Sequence, residues 1–479
     1  MTQTSVQGQD NAEIRRSADA APREIGVGLI SVGWMGRLHT RAYKAVAERY
    51  PELGLRARLV IAADTVEGSA RQAAEVLGYE NWTLDYHEVL NHSDVDVVSI
   101  CAPNFLHKEM ALAAAEAGKP FWIEKPMGRG AVESGEIARA AAVESGAPAG
   151  LFAVVVGRAA GLALVDAAPI AAVAFTGSQS GGMALVQRAS QRRRPIPVYA
   201  EMGTVNPAVV TPAAARRRMG DIAQGFAASF MMGTGQFCTK PGLLLAPAGS
   251  GASQHVAAAL GDLHAGWLLT EAMASDFSRS RTALIEAGAR VAGEGKSHQA
   301  GFAAVPTVFT ARADDLTPGS PLLEECFGPA AVVVEYADLD QLRDVLARLQ
   351  PSLAAAIASA GADDADLPWL VQLLSAQAGR VVVDGWPTGV ANTWAQNHGG
   401  PWPATSRPDA TSVGAAALDR FTRPVAFQGT ADQALPPALR SDNPWAVPRR
   451  VNGRPVAGRA NRVDGTADAD DAPDPSREL

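Results

Sequence analysis

The chain has 479 residues, and at roughly 100 to 200 residues per domain that is about two to four domains, more than one hydrophobic core organises. Hydrophobic residues at 47% and charged residues at 19% exclude a wholly disordered chain, while an aromatic share of 6% points to cores of Ala, Val and Leu. Fifty Asp and Glu against 42 Lys and Arg leave a net charge of -8, which excludes the broad positive field of a nucleic-acid or anionic-membrane partner.

Residues 1–23 are polar and aperiodic and are expected to be a disordered tail. Then short apolar runs alternate with amphipathic stretches: IGVGLISV, a helix near 35–49, RLVIAAD, a helix near 67–77, VDVVSICAP, a helix near 107–117, and PFWIEKP. The pattern resumes at LFAVVVG, IAAVAFTGS and PVYAEMG. Near-continuous apolar strands separated by helices predict an α/β fold with a doubly wound, Rossmann-like parallel sheet covered on both faces. Cys101, Cys238 and Cys326 are too few and too scattered for a disulfide framework or a Cys-rich zinc site, so the reading assigns no metal and a reducing, cytoplasmic location. No apolar run approaches the roughly 18 residues that span a bilayer.

The first strand runs into Ser31-Val32-Gly33-Trp34-Met35-Gly36, and the second ends at Asp64. This is the order of a dinucleotide-binding turn: Gly33 for backbone approach to a pyrophosphate, Gly36 for close helix packing, Met35 in the same turn, and Asp64 for a ribose hydroxyl. Ser31 stands where the first glycine is expected, so a residue with a Cβ must make the tight turn. Residues 25–148 resemble the N-terminal half of the Gfo/Idh/MocA oxidoreductases through GLISVGWMGRLH, CAPNFLH and GKPFWIEKPMGRG. The resemblance implies NAD(P) binding, with Lys125 beside the nicotinamide; a solvated strand-end lysine is the plain alternative. The second domain of that family, with its Asp and His partners, is not found in the sequence.

From about 146 to 455 the chain resembles aldehyde dehydrogenases of the 2-oxoglutarate semialdehyde (2,5-dioxopentanoate) type. The motifs are FTGSQSGG (175–182), AEMGTVNP (200–207), GTGQFCTKPG (233–242), EECFGP (324–329), GWPTGV (385–390) and HGGPWPATS (398–406). Cys238 lies among glycines, where a loop thiol can attack an aldehyde carbon; an inert buried cysteine is the competing reading. Glu201 follows an apolar run, where a carboxylate can be held as the base for thioester hydrolysis, its pKa raised by burial. The resemblance gives the same two roles to Cys238 and Glu201. Ser178, after Gly177, suits a phosphate or caps a helix. The resemblance also places Glu325, flanked by Phe327, on the nicotinamide-side ribose. His398 is expected to be structural or substrate-lining, and Cys101 and Cys326 to be core residues.

The aldehyde dehydrogenase resemblance lacks about a third of that family's length before FTGS, including the side-chain Asn of its oxyanion hole and an assembly hairpin. The expected organisation is a tail (1–23), a Rossmann NAD(P)-binding domain (24–145), a remnant of the aldehyde dehydrogenase nucleotide-binding region (146–205), an α/β catalytic domain (206–430), and an extension with an acidic disordered tail (431–479). The sheet is expected to continue across the join. The leading expectation is an NAD- or NADP-dependent oxidoreductase that oxidises a small semialdehyde through a Cys238 thioester with reduced activity, as a homo-oligomer or alone. The alternatives are a Gfo/Idh/MocA-type sugar or inositol dehydrogenase using Lys125 and a non-catalytic nucleotide-binding fusion.

Overall fold

The computed structural model describes residues 23–49, 55–125, 127–146, 155, 157–389, 395–445 and 447–456. Residues 1–22 and 457–479 of the expected tails, most of the LFAVVVG run and Val390 of GWPTGV lie outside the described residues. The chain divides into two compact units, residues 1–170 and 171–479.

In the first unit β1 (Arg23–Ile30), β2 (Leu55–Ala63), β3 (Asn81–Thr83), β4 (Val97–Ile100) and β5 (Phe121–Ile123) form one parallel sheet of order β3-β2-β1-β4-β5. Helices Trp34–Arg49, Glu67–Glu75 and Asn104–Glu116 fall within a few residues of expectation. Two apolar clusters fill the unit, one with Val98, Ile100 and Met110, the other with Val27, Leu29 and Tyr79. The fully apolar strands are thereby explained, since each face of the sheet must be covered.

The second unit begins with β6 (Val173–Gly177) and β7 (Val198–Met202), a parallel pair that forms its own two-stranded sheet. The far side of β7 is taken by residues 404–406, through the Glu201–Thr405 bridge, Met202 N to Ala404 O at 2.9 Å and Ser406 N to Ala200 O at 3.0 Å.

Seven strands make the larger sheet: β8 (Pro207–Val210), β9 (Leu243–Pro247), β10 (Arg290–Glu294), β11 (Thr307–Arg312), β12 (Ala330–Tyr336), β13 (Ala355–Ala358) and β14 (Val381–Val383). Their order is β10-β11-β12-β9-β8-β13-β14, parallel except for the edge strand β10. Side chains alternate between two cores. Val209, Leu243, Leu245, Val332 and Ile357 meet Phe277, Leu346 and Leu370 on one face. Ala208, Val210, Leu244 and Val333 meet Phe226, Phe230 and Val256 on the other. Burying a side chain such as these contributes about 1.5–3 kcal/mol each, so the sheet is a stiff platform for the loops at its ends. Residues 449–451 and 454–456 form a separate hairpin near the end of the described chain.

Candidate active site

Cys238 sits half-buried in the connection between helix Pro212–Met231 and β9. Gly233, Thr234 and Gly235 before it all take left-handed backbone angles, φ 57°, 59° and 69°. Gly235 is obligatory on contact grounds as well, since a Cβ there would stand 2.1 Å from the carbonyl oxygen of Gly328. Thr234 holds the turn by accepting from Gly266 N at 3.0 Å. After the cysteine, the fully buried Asn206 carboxamide donates to the carbonyls of Cys238 at 2.8 Å and Lys240 at 3.1 Å. Lys240 is itself buried and donates to the carbonyls of Cys326 at 2.9 Å and Ala330 at 2.7 Å, which ties the cysteine loop to the EECFGP loop. Burial holds its pKa below that of an ordinary lysine.

The sulfur faces a histidine. His398 Nε2 lies 3.2 Å from Cys238 Sγ and 3.1 Å from Glu201 Oε1, so one ring nitrogen joins residues 238 and 201. Glu201 is the fourth residue of β7 and 6% exposed, His398 3%. His398 N donates to Thr411 Oγ1 at 2.9 Å, and the Ser412 hydroxyl donates to Glu201 Oε2. Burial disfavours the His398 cation, but its bonds to Cys238 and Glu201 outweigh this and push its pKa up to about 9.

The expectation of a raised Glu201 pKa is corrected. Burial alone would raise it, but His398, Ser412 and Cys238 together hold the carboxyl below its ordinary value. A carboxylate receiving hydrogen bonds is stabilised in its charged form. Arg380 interacts electrostatically with Cys238, while its guanidinium donates to the carbonyls of Pro387 and Gly389.

Two further expected residues, Ser178 and Glu325, line a cavity of about 360 Å3 together with Gly203 and Thr204. Gly177 ends β6, and Ser178 caps the following helix by accepting from Gly181 N at 3.2 Å. Glu325 lies against Gly203, where a Cβ would stand 1.8 Å from Oε2. Its Oε1 is out of solvent without a hydrogen-bond partner, and burial pushes its pKa to about 7, with Lys240 acting in the opposite sense. Phe327 is half-buried in the same loop, and Cys326 is buried, its thiol pKa raised by burial. A helix N-terminus, glycine backbone and an orphaned carboxyl oxygen around one cavity fit a dinucleotide's phosphate and ribose.

In the first unit, Gly33 and Met35 lie in the turn after β1. A Cβ on Gly36 would stand 2.3 Å from the Ser31 carbonyl oxygen, so only glycine permits this helix start. Ser31 makes the tight turn at φ 74°. Asp64 has a duty the motif did not disclose: Oδ2 accepts from Val32 N at 2.8 Å and Oδ1 from Val66 N at 2.9 Å, bracing the turn. Lys125 is exposed after β5. Its neighbour Glu124 bonds His39 Nε2 at 2.6 Å, whose Nδ1 meets Ser99 at 3.1 Å. Cys101 is half-buried, with its pKa pushed up to about 12 by burial.

The expected residues thus fall into sets in different units: Gly33, Met35, Gly36, Asp64 and Lys125 in the first, Gly177, Ser178, Glu201, Cys238, Glu325 and Phe327 in the second. Sequence reasoning missed the positions of His398, Ser412 and Asn206 at the reactive centre. His398 and Asn206 stand inside quoted motifs, but spacing alone could not bring residue 398 to residue 238.

A model of the "Aldehyde dehydrogenase family" matches residues 95–422, and one of the "Oxidoreductase family, NAD-binding Rossmann fold" matches 25–150, so both match 95–150. The alpha-ketoglutaric semialdehyde dehydrogenase 2 of Azospirillum brasilense is 43% identical over 297 residues, covering 61% of this chain and 56% of that protein. The levoglucosan dehydrogenase of Pseudarthrobacter phenanthrenivorans is 43% identical over 113 residues, 23% of this chain and 29% of that protein. The chain spans about half the length of the semialdehyde dehydrogenases it matches. Among solved structures, the aldehyde dehydrogenase KauB from Pseudomonas aeruginosa superposes with a TM-score of 0.52 at 19% identity, over 85% of this chain and 68% of its own, a likeness of fold.

Proposed function

Because this chain belongs to the aldehyde dehydrogenase family, we propose that it oxidises a small semialdehyde of the 2,5-dioxopentanoate type to the acid, with NAD or NADP, through a thioester on Cys238. The observation that carries the reading is the meeting of a half-buried thiol with a buried carboxylate through one imidazole nitrogen. The identity to semialdehyde dehydrogenases supports the substrate class.

Cys238 Sγ adds to the aldehyde carbon and forms the C–S bond. A bound nicotinamide dinucleotide supplies the two-electron acceptor for the aldehyde hydrogen, leaving the acyl group on sulfur. Ser178, Gly203 and Glu325 would hold such a dinucleotide in the second unit; Gly33, Met35, Gly36, Asp64 and Lys125 would hold one in the first. Glu201 then takes a proton from water as its oxygen attacks the thioester carbon, and the C–S bond breaks to release the acid and the sulfur anion. A carboxylate whose pKa is held low is ionised across neutral pH, ready for that proton. The sum is aldehyde, oxidised dinucleotide and water giving acid, reduced dinucleotide and a proton.

Asn206, which spends its NH2 on three carbonyls including that of Thr204, fixes the loop rather than serving as an oxyanion donor. Turnover is therefore expected below that of a full-length relative, since one missing donor costs about 10²–10³ in rate. The test is reduced-nicotinamide absorbance on mixing protein, semialdehyde and NAD or NADP. Turnover absent from the Cys238→Ala protein supports the reading, and no turnover with any aldehyde defeats it. A sugar- or inositol-dehydrogenase reading is favoured by the match over 25–150 and is tested by the same absorbance with a polyol and the Lys125→Met protein.

A further inference from the structure

His398 Nε2 faces two groups at once, a carboxylate oxygen at 3.1 Å and a sulfur at 3.2 Å. A ring nitrogen carries at most one hydrogen, and an ionised carboxylate can only accept. If Nε2 were bare, its lone pair would face the Glu201 carboxylate inside a site from which both side chains are almost excluded from solvent, which is unfavourable at low dielectric. That setting is relieved when Nε2, with the ring's own hydrogen on Nδ1, takes up the Cys238 proton: this hydrogen is then shared between oxygen and sulfur, and a sulfur that receives an N–H bond is stabilised as the anion.

We propose that His398 is the proton acceptor of Cys238: the S–H bond breaks, the proton joins Nε2, and the resting site holds an imidazolium between a thiolate and the Glu201 carboxylate. This deepens the thioester reading and rests on it. Glu201 is the counter-ion of the imidazolium before it is the base for water. On thioester hydrolysis the departing sulfur again meets the Nε2 proton, so the pair is restored without a proton from bulk solvent.

The other charges around the group agree with this balance. Arg380 interacts electrostatically with Cys238. Arg407, Arg420 and Tyr199 line a small cavity together with Glu201 and His398, and Arg407 is paired with Asp409. Burial opposes a charged imidazole, yet the bonds of His398 to Cys238 and Glu201 push its pKa up to about 9.

The experiment is the rate of iodoacetamide alkylation against pH, read peptide by peptide in the whole protein, with neither aldehyde nor dinucleotide present. Wild-type Cys238 is expected to react at a nearly constant rate from about pH 6 to 8, below the ordinary thiol pKa of about 8.5. In His398→Gln the rate is expected to fall by about 10- to 100-fold at pH 6 and to climb with pH as a free thiol does; the lower nucleophilicity of a low-pKa thiolate keeps the loss from being larger. His398→Asn should behave alike, and unlabelled Cys326 in the same digest registers that the fold is intact. A climbing wild-type profile, or a variant profile that superimposes on it, overturns the proposal. Because alkylation needs no turnover, a flat profile without reduced nicotinamide keeps the ion pair and defeats the oxidation reading, and turnover with a climbing profile does the reverse.

Discussion

The two ends where chemistry is expected are built in opposite ways. In the first unit the turn after β1 is shaped by backbone: Ser31 at positive φ, Gly36 against the Ser31 carbonyl, and Asp64 receiving two backbone N–H bonds. In the second unit the reactive centre is a junction of side chains drawn from residues 201, 238 and 398, held by Asn206 and Ser412. A backbone site survives in a short motif because its parts are neighbours in sequence. A side-chain junction depends on a complete sheet and on segments far apart in the chain.

The contrast can be broken most sharply at the sulfur. Cys238→Ala should abolish semialdehyde oxidation, a loss of about 10⁴-fold or more, while leaving dinucleotide binding by equilibrium dialysis unchanged. Next in size, Glu201→Gln should slow turnover by about 10²–10⁴ and make the acyl-protein accumulate, as quench-flow with mass detection would register. Equal loss of acylation and deacylation would remove Glu201 from the hydrolytic step.

Backbone substitutions sharpen the other side of the comparison. Gly235→Ala places a Cβ on the Gly328 carbonyl and should destabilise the second unit by about 2 kcal/mol or more in urea unfolding. Gly36→Ala should do the same to the first unit, with Cys238 alkylation unaffected; a loss of alkylation would show that the units are not independent in this respect.

The smallest effect is electrostatic. Glu325 has its folded pKa raised to about 7 from an ordinary value near 4.5, so its contribution to stability is full below that ordinary value and is lost as pH rises through 7. Glu325→Gln should therefore be more stable than wild type at pH 8, by about 1–2 kcal/mol, and no more stable at pH 4. Urea midpoints at the two pH values check the sign.

Much of the fold was legible. Apolar runs marked β1, β2, β4 and β7, whose inner residues are buried and leave near-unbroken Val, Ile and Ala, and also β5 and β6, which are only partly buried. The pairing of residues 404–406 with the edge of β7 was not legible, because it joins segments two hundred residues apart that no local pattern links. At the site, the glycines around Cys238 and the apolar approach to Glu201 were readable as motifs. The direction of the Glu201 pKa was not, because it depends on a histidine delivered by another segment and outweighing burial.

The thioester itself is the direct test of the central claim. Glu201→Gln protein incubated with 2,5-dioxopentanoate and NAD or NADP is analysed by intact-mass and peptide mass spectrometry. An acyl adduct confined to the peptide carrying Cys238, formed together with one equivalent of reduced dinucleotide, is the expected result. Unmodified Cys238 with no reduced dinucleotide, from protein that still binds the dinucleotide, would contradict it.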